Sequence, residues 1–136
     1  MARIVHFSEA ASLALHAMVL IAKSDSHVNV NSIAAEMGAS RNHLAKVLQM
    51  LAKHNFLKSV RGPSGGFVLN KSPGEISVLE IYEAIEGRID LPECPLDRKV
   101  CPFNKCLVDG LVRDMTNQFK KYFQEQTLAD FITRSA

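Results

Sequence analysis

Nothing in these 136 residues is long and apolar enough to cross a bilayer: the longest apolar run is the six residues from Ala17 to Ala22. A spanning helix needs roughly 20. No basic stretch with a cleavage site precedes that run, so the expectation is no membrane association and a cytoplasmic location. Signatures of catalysis are missing too. No motif supplies a nucleophile, a base and an orienting group together, which argues against an enzyme. The one glycine-rich stretch, Arg61-Gly62-Pro63-Ser64-Gly65-Gly66, is followed by no Lys-Ser/Thr pair and no immediate helix, which excludes a P-loop. Internal repeats and low-complexity tracts are absent. Cysteine is scarce: there are three, all between Cys94 and Cys106. An odd number leaves one thiol unmatched by any disulfide, and the paired C-x2-C knuckles of structural zinc do not occur.

What is present begins with enough apolar material, 47% of the residues, to build the core of one domain with an appended arm. Charge is uneven. Up to Lys71 there are eight Lys/Arg against three Asp/Glu, a net +5; from Ser72 onward eight against eleven, a net −3. All five histidines lie in the basic half. A basic half joined to an acidic one suggests a polyanion-binding module attached to something else.

Periodicity gives that module a shape. Leu13, Ala14, Ala17, Met18, Leu20 and Ile21 recur at helical spacing between Ser8 and Lys23. Asn29 or Asn31 can cap a short second helix that Gly38 ends. Ser40 then stands at an N-cap position for a third helix running to about His54, with Leu44, Val47, Leu48 and Leu51 as its inner stripe. Helix, short Gly-bearing turn, helix is the helix-turn-helix pattern. With that stripe inward, Arg41, Asn42, His43 and Lys46 project outward at the N-terminal end of the third helix. A recognition helix presents that end to the major groove, where Arg pairs with guanine, Asn with adenine and Lys with phosphate.

Two short strands follow, Asn55 to Val60 and Phe67 to Leu69, flanking a turn whose three glycines allow positive φ. A hairpin directly after the third helix is the layout of a winged helix. Ser40, Arg61 and Ser64 are placed to contact the DNA backbone. The expected fold is therefore mainly α with a small β-hairpin wing, a winged helix-turn-helix followed by a long C-terminal dimerisation helix. Ser77 and Glu80 form a capping box for a helix to Gly87. A long helix from about Lys105 to Gln124 carries Val108, Leu111, Val112, Met115, Phe119, Tyr122 and Phe123, more apolar surface than a compact winged helix readily covers. A homodimer accounts for that surface and for two recognition helices reading a near-palindrome. Thr127 and Asp130 suggest a short final helix. The resulting organisation is a DNA-binding domain over 1–87, a cysteine-rich loop over 88–106, and a dimerisation helix with its arm over 107–136.

The stretch SRNHLAKVLQMLAKHNFLKSVRGPSGGFVL, followed by a helix and a three-cysteine segment leading into a long helix, resembles the Rrf-two family of bacterial winged-helix regulators, which includes the IscR and NsrR types. The resemblance covers nearly the whole chain and implies a homodimeric transcription factor. In many members three cysteines hold an iron-sulfur cluster that senses iron-sulfur status, nitric oxide or redox state; some members have none of them. Carried over, the cluster ligands are Cys94, Cys101 and Cys106, whose soft thiolates suit iron-sulfur chemistry. Their spacing, six and four intervening residues, is less even than the family's, so both a 2Fe-2S and a 4Fe-4S cluster stay open. A fourth ligand must be oxygen, nitrogen or an exogenous group. Asp109 lies one helical turn after Cys106, where IscR-like members carry histidine, and Glu9 resembles the acidic ligand that NsrR-like members supply from the partner subunit. Ser12 takes that place in a register one turn later. The alternatives are a winged-helix regulator without a cluster, its cysteines acting as redox thiols or zinc ligands, and a protein-interaction module that binds no DNA.

Overall fold

A computed structural model describes residues 1–90, 102–105, 107–108 and 110–133. Helix α1 spans Glu9–Lys23, capped by Ser8, whose hydroxyl accepts from the Ala11 N–H at 3.0 Å. Helix α2 spans Val30–Met37. Its cap is Asn29 rather than Asn31: the Asn29 carboxamide oxygen accepts from the Ser32 N–H at 2.7 Å. Gly38 ends the helix in the left-handed region at φ 63°, as the turn requires. Helix α3, Arg41–Lys53, starts at its Ser40 cap and buries Leu44, Val47, Leu48 and Leu51, the four expected inner positions.

The hairpin is shorter than its sequence suggests. Strand β1 is Leu57–Val60 and β2 is Gly66–Leu69, antiparallel with Leu57 opposite Leu69 and Val60 opposite Gly66. Asn55 does not extend the strand, because its φ of 67° turns the backbone out of α3. Asparagine tolerates that conformation better than most side chains. The three glycines of the turn also divide differently from expectation. Of the three only Gly62 takes positive φ, at 118°. Gly66 is required by proximity, since a Cβ there would stand 2.4 Å from the Val28 carbonyl oxygen. That closeness reflects a pairing the periodicity did not reveal: Val28 and Phe67 exchange N–H···O bonds of 2.9 and 2.8 Å, tying the wing to the α1–α2 connection.

After a 3₁₀ turn at Pro73–Glu75, the Ser77/Glu80 capping box is fully made and α4 runs Val78–Glu86. The long helix begins later than its apolar spacing suggests. Helix α5 is Leu111–Glu125, and Gly110, at φ 77°, interrupts the backbone ahead of it. Lys105 and Val108 lie outside the helix. Helix α6, Leu128–Thr133, follows closely; Asp130 reaches back to accept from the Thr127 N–H at 2.9 Å.

One apolar core joins these pieces. Leu13, Ala14, Ala17, Met18 and Ile21 of α1 meet Ile33 of α2, the α3 stripe, Phe56, Leu57, Ile76 and Ile81. Leu128 of α6, 1% exposed, belongs to the same cluster. It is fixed there by a backbone bridge in which Val78 N–H donates to the Gln126 carbonyl at 2.9 Å and Leu128 N–H to Ile76 at 3.1 Å. Helix α5 leans on α4 through rings instead: the Phe119 and Phe123 rings lie 4.3 Å apart, tilted by 33°, and both meet Tyr82 and Phe7. Burial, and secondarily the Glu86 charge, push the Tyr82 hydroxyl above the ordinary value of 10.0.

Candidate nucleic-acid interface

The first turns of α3 carry the polar side chains that the buried stripe forces outward. Arg41, Asn42 and Lys46 are exposed and His43 is half-exposed, while Leu44 and Val47 on the opposite face are buried. Ser40 spends its hydroxyl oxygen on the helix cap, accepting from the His43 N–H at 3.4 Å. Its own exposure leaves it at the same surface. His43 Nδ1 stands 3.5 Å from the Glu9 carboxylate, so the first turn of α1 reaches the first turn of α3. Arg41 is also held: its Nε–H donates to the Asn31 carboxamide oxygen at 2.6 Å.

The wing contributes a second exposed patch. Arg61 and Ser64 lie at its tip, both open to solvent. Besides the Val28–Phe67 pair, the His27 ring at Nε2 contacts the Ser64 carbonyl, so side chain and backbone both fix the tip against the segment leading into α2. The loop that carries Arg61 is thus anchored to the segment just before α2, and the Arg41 side chain to the first turn of α2 itself.

Two contacts here were not foreseen from sequence. The sequence offers Asn31 only as a possible cap, and it is released for Arg41 because Asn29 takes that role. His27 carried no periodic signal at all. Among the proposed cluster ligands, Glu9 begins α1 with a largely exposed carboxylate. The half-buried Ser12 lies one turn on, with its carbonyl 2.7 Å from His16 Nδ1. Cys94, Cys101, Cys106 and Asp109 lie outside the described residues.

A family model described as Rrf2, iron-dependent transcriptional regulator, matches residues 7–134. The chain belongs to that family. IscR of Cronobacter sakazakii, an HTH-type transcriptional regulator, is 30% identical over 105 residues, 77% of this chain and 65% of that one. The chain therefore spans just under two thirds of that relative's length. Two solved structures share the fold. CymR, the global cysteine regulator of B. subtilis, superposes with a TM-score of 0.81 at 24% identity, covering 98% of this chain and 100% of that one. IscR of T. potens gives 0.77 at 24% identity, covering 98% and 93%. The relatives are regulators of transcription rather than enzymes. Among the described residues no helix is long and apolar enough to cross a membrane.

Proposed function

We propose that this Rrf2 regulator acts in the cytoplasm as a homodimer that binds a near-palindromic DNA operator, and that an iron-sulfur cluster on Cys94, Cys101 and Cys106 sets its affinity. The observation that carries the DNA reading is the exposed N-terminal end of α3 beside an anchored wing. Arg41, Asn42, His43 and Lys46 meet base edges and phosphates in the major groove, and Ser40, Arg61 and Ser64 hold the backbone.

Support for the dimer comes from α5. It is amphipathic yet has no fully buried residue, and Leu111 and Tyr122 remain 58% and 55% exposed. A groove of about 720 Å³ alongside it is lined by Leu15, Val19, Leu20, Met37, Tyr122 and Phe131. Large contiguous apolar surfaces of this kind mark protein contacts. A second copy of the chain is the occupant that also gives two recognition helices a fixed separation.

Support for the cluster comes from the donor set. Three thiolates are the soft ligands that iron-sulfur chemistry requires, and the sequence carries three cysteines, all within one short stretch. When bound, such a cluster supplies a centre that oxygen or nitric oxide can modify. Glu9 is the favoured fourth ligand, ahead of Ser12 and Asp109, because a carboxylate supplied by the partner subunit would tie cluster integrity directly to dimer geometry, and a hard oxygen ligand on iron is readily displaced in a sensor. Anaerobic purification with a visible spectrum and iron and sulfide assays tests the cofactor. Bound zinc without sulfide, or thiols alone, would replace the cluster with the corresponding cysteine chemistry. DNA affinity measured before and after cluster removal from an intact dimer tests the control. Equal affinities would make the cysteines bystanders.

A further inference from the structure

We infer that Asn31 is a positioning residue for DNA reading: it holds the Arg41 guanidinium so that one defined edge faces the bases. The inference rests on the proposal that Arg41 contacts DNA. It goes beyond it by assigning a residue that touches no base.

Arginine presents five N–H donors in a rigid plane, one on Nε and four on the two terminal nitrogens. The Nε–H of Arg41 donates to Asn31 Oδ1 at 2.6 Å, a charge-assisted bond from the guanidinium to a neutral carboxamide oxygen. Because Nε–H can only donate, the carboxamide must turn its oxygen toward the arginine, which also fixes the Asn31 amide. The edge of the guanidinium that includes Nε is then occupied within the protein. The end formed by the two terminal nitrogens remains, and its two parallel N–H groups match the O6 and N7 acceptors of guanine.

The local structure makes Asn31 available for this task. Asn29 caps α2, so the Asn31 side chain is not needed by its own helix. It stands in the first turn of α2, while Arg41 is the first residue of α3; the two helices of the motif therefore cooperate on one side chain. Both residues are exposed. An arginine free in solvent must order a long flexible side chain when it meets a base, and one already tethered at Nε has less to lose. A wrong base is not matched by reorientation, because the tether resists it. Pre-ordering in one geometry favours discrimination between bases more than overall affinity.

The test uses the full chain, purified anaerobically, and duplexes selected by the wild-type protein from a pool with a randomised core. Binding is measured to the selected duplex, to the same duplex with each guanine replaced in turn, and to an unrelated duplex. Asn31→Ala is expected to lower discrimination at one guanine position by roughly three- to tenfold, a fraction of a full bidentate contact. Affinity for the unrelated duplex and the salt dependence should stay unchanged. Asn31→Asp keeps the acceptor oxygen and should retain the discrimination even if its added charge weakens binding generally. In an Arg41→Ala background, Asn31→Ala should have no further effect at that position. If Arg41→Ala reduces discrimination and Asn31→Ala does not, the positioning role is wrong and the base contact stands. If Arg41→Ala leaves every guanine position unchanged, the base contact itself is wrong and the Asn31 role falls with it. An equal loss on all duplexes, or a loss that persists in the Arg41→Ala background, would mean that Asn31 acts on the fold and not through Arg41.

Discussion

Lys46 stands one turn beyond Asn42 on the exposed face of α3, and its compact charge on a flexible stem suits a phosphate better than a base. Lys46→Ala is expected to weaken binding about uniformly across operator variants and to lower the slope of log affinity against log salt by about one. A salt titration with two duplex sequences checks both. Gly66 allows a sharper expectation. A methyl group there meets the Val28 carbonyl oxygen at 2.4 Å, backbone that cannot swing aside. Gly66→Ala should destabilise the protein by about 1 to 3 kcal/mol, as overpacking does, and loosen the wing, visible as a lower thermal midpoint. Tyr82 governs only the alkaline limb. Burial first and the Glu86 charge second raise its folded pKa above 10.0. The folded state therefore keeps a proton that the unfolded chain releases, so stability is intact below pH 10 and falls as pH rises beyond it. Tyr82→Phe should flatten that fall and leave the neutral-pH profile unchanged. Arg41, Asn42 and Lys46 were legible from sequence because four buried positions of one stripe dictate what lies opposite. The contact between Arg41 and Asn31 was not, because it joins side chains from two helices and leaves no periodic trace.

Helices were easier to read than their ends. The α3 stripe fixed one helix completely, and the capping box at Ser77 and Glu80 fixed the start of another. The start of α5 was misplaced because Val108 continues the apolar spacing through a backbone break at Gly110, and spacing says nothing about φ. The β1 start was misplaced for the same reason at Asn55. The bridge between Val28 and Phe67 is a single residue pair and too short for any alternation to announce. Phe7 was another silent residue: it precedes α1, is 46% exposed, and still packs its ring against Tyr82, Phe119 and Phe123. These rings hold α5 to α4 where no fully buried residue does. Phe119→Ala should cost on the order of 1 to 2 kcal/mol through lost ring pairs. It should expose α5 to limited proteolysis before the α1–α4 core unfolds. Simultaneous loss of both at one protease concentration would show that α5 has no independent docking energy.

The proposed homodimer has a consequence for the molecule as a unit. If a second copy covers the α5 face and the neighbouring groove, the thermal midpoint must rise with protein concentration, by mass action. A midpoint independent of concentration, with a monomer in sedimentation, would remove the basis for a paired operator. The placement of Leu128 has a different kind of consequence, one of time. It seals the core against α1 and is bridged to Ile76, about fifty residues earlier in the chain. Ribosomes add roughly 5 to 20 residues per second, so for roughly 2 to 8 seconds after α4 is made its apolar surface has no lid. A nascent chain arrested after α4 should therefore bind chaperone or aggregate. One released after α6 should not.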